Sequence, residues 1–296
     1  MRRHHTVLFS GTNNYHLSTF QNENNRNTIT RRQELRDQSA YSFRNTDFDH
    51  CETQTLTNGG AIYCSTGSLT IEECIFSNCK SSNRSGSVFF QCQNLCNDTN
   101  NLFVNSSSDW NSGTFDDYFA TQSIHFQSTY INSVSGGHFG IMNIEATSHS
   151  TVFSCIFVNG SAGDWTGLFS LTKISGTSTV SDCLFAFGKA VNYGGAFGTY
   201  EPFDTTAYPV FFFSFFYDNF CSDPSRGADF DANGTTCSFF SKEQILHCFS
   251  SSRGFRVYIE GEDSSDVDLW LPQGIPFFFV DNGSSLSTHT QKISLV

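Results

Sequence analysis

Proline is scarce in this chain: five residues in 296, and all of them (Pro202, Pro209, Pro224, Pro272 and Pro276) lie beyond position 200. The first 201 residues therefore contain nothing that removes a donor from a sheet ladder. Charge is scarce too, at 15% of residues, and positive charge is scarcest, with 16 Lys+Arg against 28 Asp+Glu and a formal net charge of −12. That balance excludes a nucleic-acid partner, which would call for a basic footprint. Long apolar runs are missing; Ile275–Val280 falls far short of the roughly 18 residues of a membrane-spanning helix. Behind the basic start Met1-Arg2-Arg3-His4-His5, the stretch Thr6–Ser10 is too short for the apolar region of a signal peptide. Phenylalanine, by contrast, occurs 33 times, which excludes a disordered chain.

What the sequence has in quantity is a period. An aromatic recurs at Phe20, Phe48, Phe76, Phe103, Tyr130, Phe157, Phe185, Tyr217 and Phe249, at steps of 28, 28, 27, 27, 27, 28, 32 and 32 residues. Two residues after these anchors stand Asn22, His50, Asn78, Asn105, Asn132, Asn159, Phe187, Asn219 and Ser251, six of the nine being Asn. A glycine ladder keeps the same beat: Gly59, Gly86, Gly113, Gly140, Gly167 and Gly194 at steps of 27, then Gly227 and Gly254. Two ladders of different chemistry at one period establish an internal repeat.

Within the clearest unit, residues 59–79, short apolar runs such as Ala61–Tyr63, Leu69–Ile71 and Cys74–Phe76 alternate with Gly, Ser and Asn. These are strand and turn signals; helical repeats would need apolar residues at 3.6 spacing. The expected fold is all-β, a right-handed parallel β-helix solenoid of eight to nine coils with 27–32 residues per coil. It spans residues 20–260, between an N-terminal segment 1–19 and a C-terminal segment 261–296 that forms a last partial coil or a cap. Equivalent positions then stack about 4.8 Å apart, aromatics inside and Asn amides at a turn. Right-handed winding follows from the bias of parallel crossovers.

The Gly-Gly-Ala-Ile run at 59–62, Gly-Gly-Ala-Phe at 194–197, and the Cys-Ile-Phe-x-Asn units at 74–78 and 155–159 resemble the repeats of right-handed β-helix proteins. The families are the pectin-lyase-like proteins and the polymorphic outer-membrane-protein type, with similar surface proteins of parasitic protists. The resemblance implies a non-catalytic cell-surface or adhesion module with a protein or glycan ligand, located outside the cell, and no cofactor. A cytoplasmic location is the alternative. It also raises a second class, a polysaccharide lyase or glycoside hydrolase. Fragments resembling the motifs of pectin hydrolases are present at Asn45-Thr46-Asp47, Asp116-Asp117 and Gly137-His138. Asp47 and Asp116 are 69 residues apart, more than two coils, whereas paired catalytic carboxylates stand roughly 5–10 Å apart. No catalytic or metal-binding residue is assigned on this reading.

Several positions still invite a role. The residues before the anchors, Ile75, Leu102, Thr129, Ile156, Leu184 and Phe216, alternate away from the interior and would form an outer apolar stripe, either a partner-binding seam or strand-forming residues without further purpose. Extra residues in the last coils, including 201–209, are expected to loop out. Eleven Cys is an odd number; Cys155 with Cys183, and Cys51 with Cys79, should stack as free thiols in adjacent coils, while Cys92 and Cys96 could pair locally or bind a metal, although no His or Cys set of known spacing accompanies them. If the chain is secreted, Asn83, Asn97 and Asn233 are its glycosylation sites.

Overall fold

The computed structural model describes residues 26–259, apart from 54–55, 146, 200–208, 224–225, 233–244, 247 and 251–256. The segments 1–19 and 261–296 and the sequon at Asn233 lie outside the described residues. Those described form three parallel sheets and no helix. Each coil gives one strand to each sheet, as Ile75–Ser77 does to sheet A, Val88–Gln91 to sheet B and Leu95–Thr99 to sheet C. Sheet A carries short extra strands such as Ser107–Ser108 and counts 13 strands, against nine in B and eight in C. The molecule is a parallel β-solenoid of about seven turns, slightly fewer than the eight or nine expected. Proline obeys the ladder: Pro209 is the first residue of the strand Pro209–Phe212, where a missing donor costs least.

The anchors form one interior column in sheet A. Phe48, Phe76, Phe103, Tyr130, Phe157, Phe185 and Phe216 pair in register from coil to coil. Their rings are near-parallel, with centroids 4.6 Å apart at Phe48–Phe76 and Phe76–Phe103, 4.8 Å at Phe103–Tyr130 and 5.0 Å at Phe185–Phe216. The strand spacing thus sets a ring spacing that aromatic stacking also favours. Ile29 is in register with Phe48 and heads the column, while Phe20 lies outside the described residues. Two anchors fall elsewhere than the period suggested. In the strand Phe215–Tyr217, Phe216 takes the interior place and Tyr217 points out, because the run offers three aromatics to one position. Phe249 pairs with Phe215, and Ser250 with Phe216.

The Asn two residues after each anchor has a backbone reason. Asn78, Asn105, Asn132 and Asn159 all sit at φ near +55°, the left-handed region that Asn tolerates better than most residues. Their amides form the expected stack, Asn159 donating to Asn132 at 2.8 Å, Asn132 to Asn105 at 3.2 Å and Asn105 to Asn78 at 3.3 Å. Substituting Asn132 separates the two contributions. Asn132→Gly keeps the turn and loses the amide bonds, and should cost about 1 kcal/mol in urea denaturation. Asn132→Ala loses both and should cost about 2 kcal/mol.

A second left-handed column stands three residues before the anchors, at Asn45, Glu73, Asn100, Gln127, Ser154, Asp182 and Phe213. The glycine ladder closes the turn into sheet B. Its register runs through Gly60, Gly86, Gly113, Gly140, Gly167, Gly195 and Ala228, so Gly60 and Gly195 replace Gly59 and Gly194, and Ala228 replaces Gly227. At Gly113 an added Cβ would strike the Gly140 carbonyl oxygen and lie 2.8 Å from the Val134 nitrogen.

Candidate functional site

The outer stripe exists as a column of sheet A. Ile75, Leu102, Thr129, Ile156 and Leu184 pair in register and continue to Phe215. Phe216 does not belong to it; its side chain is 2% exposed and packs in the interior. Little of the column is open. Ile75 and Leu102 are half-buried, while Thr129, Ile156 and Leu184 are buried. Ile156, Leu184, Ala186 and Phe215 make a small apolar cluster separate from the core, edged by Val158, Phe187 and Tyr217.

A polar cluster lies inside the solenoid, where the ring column switches to Tyr130. A buried phenol needs a partner, and Tyr130 Oη donates to Asp98 Oδ2. Asp98 also accepts from Asn101, and the same Oδ2 lies 3.1 Å from His125 Nδ1. His125 Nε2 is 3.1 Å from Ser123 Oγ. Hydroxyl, imidazole and carboxylate stand in the order of a nucleophilic triad, yet Ser123, His125 and Asp98 are all 0% exposed, so no substrate reaches the hydroxyl. The chemistry available to these groups is structural. Asp117 lies beside them, fully buried, and no hydrogen bond of normal geometry reaches either of its oxygens. Burial raises its pKa to about 7, against the opposing pull of Ser123 and His125.

The outer face of sheet B is chemically richer. Arg84 Nε donates to Asp116 Oδ2 at 2.6 Å and Nη2 to Glu145 Oε2 at 2.9 Å, while Lys173 Nζ stands 3.3 Å from Glu145 Oε1. Asn143 Nδ2 donates to Asp116 Oδ1 at 3.1 Å. The guanidinium covers the rings of Tyr118, at 4.9 Å, and Phe89, at 5.4 Å. Burial pushes the Asp116 carboxyl up and Arg84 opposes it; burial also works against the Arg84 charge, but the two carboxylates outweigh it and raise the Arg84 pKa. Asp116 and Asp117, adjacent in sequence, therefore face opposite sides of one strand, Phe115–Tyr118, and share no site.

Beside this face runs a row of residues that stand two before the rungs of the glycine ladder from Gly86 to Ala228: Arg84, Asn111, His138, Trp165, Tyr193 and Arg226. Trp110, 54% exposed, meets His138 edge-on at 5.2 Å. His138 lies 4.1 Å from Trp165, Trp165 is edge-on to Tyr193 at 5.9 Å, and the Arg226 guanidinium covers Tyr193 at 4.8 Å. Asp164 Oδ2 is 3.6 Å from His138 Nδ1. Burial lowers the His138 pKa and nearby Arg84 lowers it further, with Asp164 opposing. Trp110 precedes the row's Asn111, and at a coil spacing of about 4.8 Å the aromatic stretch from Trp110 to Arg226 is about 19 Å long. The period marked these positions, but their varied chemistry hid the row.

Among the described residues no His, Cys, Asp and Glu group is arranged to hold a metal ion. Cys51 and Cys79, and Cys155 and Cys183, are adjacent free thiols as expected. Cys92 is not beside Cys96 in a local pair; its thiol lies next to that of Cys64 and donates to the Gly67 carbonyl. Asn83 is half-buried and spends its amide on Asn58 at 2.8 Å. Asn97 faces outward from sheet C, flanked in register by Thr70 and Ile124. No helix among the described residues is long and apolar enough to cross a membrane. No family model, curated protein or solved structure matches this chain.

Proposed function

We propose that this chain is a non-catalytic β-solenoid interaction module of the cell surface, and that it binds a glycan along the row Trp110, His138, Trp165 and Tyr193. The supporting observation is the continuity of that row: aromatic groups in contact over successive coils, edged by the polar groups Asp164 and Asn192. Indole and phenol rings stack on the C–H faces of sugars and keep a polar edge for hydroxyls. A chain lying parallel to the solenoid axis would meet one ring per coil. The net charge of −12 favours a neutral glycan over a polyanion. The likeness of the repeats to pectin-lyase-like and outer-membrane-protein-type β-helices supports the same reading.

A second reading, a carbohydrate-active enzyme, is favoured by one observation: Asp116 and Glu145 converge on Arg84 within a short distance of His138. Against it, both carboxylates are occupied by Arg84 and Asp116 is fully buried, so neither is free to transfer a proton to a bound sugar.

A glycan array with a parallel polysaccharide-degradation screen separates the two. Binding without cleavage is expected, and Trp110→Ala or Trp165→Ala should each weaken binding about tenfold, about 1.4 kcal/mol. Cleavage lost in Asp116→Asn would establish the enzyme instead, and binding indifferent to both Trp substitutions would remove the row from consideration.

A further inference from the structure

Three thiol pairs bridge adjacent coils: Cys51 with Cys79, Cys64 with Cys92, and Cys155 with Cys183. All six are free. Two of the pairs are in strict register, since Glu52 bridges to Lys80 and Ile156 pairs with Leu184, one residue beyond the cysteines in each case. In-register parallel neighbours send their Cα–Cβ bonds the same way. A disulfide needs a torsion of about 90° about its S–S bond, so closing one there would require the backbone to move. These four sulfurs are also enclosed, every one of the residues being 0% exposed.

The third pair differs in register and in one member's exposure, Cys64 being buried and Cys92 half-buried. Cys64 is in register with Phe90, so Cys92 stands two residues further along its own coil and the pair is not an in-register one. Both thiols converge on one short turn, Cys64 Sγ donating to the Thr66 carbonyl at 3.2 Å and Cys92 Sγ to the Gly67 carbonyl at 2.8 Å. Cys92 is half-buried, so a small reagent has a route to this pair that the others lack.

We propose that Cys64 and Cys92 are a cross-coil disulfide site, closed by exchange with a small-molecule disulfide of the glutathione type. A thiolate of the pair attacks one sulfur of glutathione disulfide, whose S–S bond breaks and releases one glutathione thiolate. The second cysteine gives its proton to solvent, attacks the protein sulfur of the mixed disulfide and expels the second glutathione. Two protein thiols lose two electrons in all, and one glutathione disulfide becomes two glutathiones. The first attack falls to Cys92, the half-buried member, whose proton passes to solvent; the neighbouring sulfurs hold Cys64 below the ordinary thiol range and Cys92 above it. The product ties two coils through a 28-residue loop.

Incubating the folded chain with glutathione disulfide, then alkylating and mapping its peptides by mass spectrometry, tests the site. The expected result is a cross-linked peptide joining Cys64 to Cys92, two fewer alkylated thiols, and a Tm about 5 °C higher that dithiothreitol reverses. Cys51, Cys79, Cys155 and Cys183 should remain open to alkylation once the chain is unfolded. Cys64→Ser should stop the reaction at a glutathione adduct on Cys92. A wild-type adduct on Cys92 that never resolves, or a cross-link appearing first in either in-register pair, would overturn the proposal. The wild-type map decides even if the variant does not fold.

Discussion

Alanine at Gly113 should destabilise the solenoid by about 3 kcal/mol and lower its Tm by roughly 10 °C. The added methyl is not aimed at a side chain that can turn away. It meets the Gly140 carbonyl oxygen of the next coil, with the Val134 nitrogen at 2.8 Å and the Val134 oxygen at 2.9 Å. All three belong to backbone held in parallel ladders, so relief would shift hydrogen-bonded strands. Gly86 and Gly140 face the same arrangement one coil to either side, which leaves the strain nowhere to spread. Thermal and urea unfolding followed by circular dichroism measure the effect, with Ser161→Ala, on the outer side of sheet A, expected within about 0.5 kcal/mol of the parent. An alanine variant as stable as the parent would mean that the turn into sheet B can open, and that the glycine period reflects something other than close approach.

The same ladder shows what the sequence makes legible. A position is readable when one physical demand admits few residue types: a flat ring in a 4.8 Å stack, Asn at φ near +55°, Gly against a carbonyl. It fails by one residue wherever two adjacent residues meet the demand, as at Gly59-Gly60, Gly194-Gly195 and Phe216-Tyr217. The second left-handed column was invisible because Asn45, Glu73, Gln127, Ser154 and Phe213 share a backbone conformation and no side-chain chemistry. The candidate site had the same difficulty. Arg84, His138, Trp165 and Tyr193 keep the period without repeating a residue type, and the ion pairs of Arg84 join residues 32 and 61 positions apart. Repetition reports what the scaffold requires of every coil. A binding face is where coils differ, so a period-based reading passes over it.

Asp117→Asn should raise stability by up to about 4 kcal/mol at pH 8 and change it little at pH 4. Burial pushes the Asp117 carboxyl up to about 7 in the folded chain, outweighing the opposing pull of Ser123 and His125, whereas an exposed Asp titrates near 3.9. Between those values the native state keeps a proton that the unfolded chain has released. Native protein therefore binds more protons than unfolded protein, and stability falls as pH rises across that window, levelling off above it. At about 1.4 kcal/mol per unit, the roughly three-unit difference accounts for the expected gain. Asparagine has the same shape and no charge to desolvate, so it should flatten this part of the profile. The neighbouring titratable groups are His125, whose charge would favour ionised Asp117, and Asp116, which opposes it; Cys96 shares the buried surroundings. Urea midpoints of the parent and variant from pH 4 to 9 measure the difference. A parent profile that is flat from pH 5 to 7.5 would show that Asp117 is ionised and paired within the fold, and the interior of the solenoid would then be solvated around it.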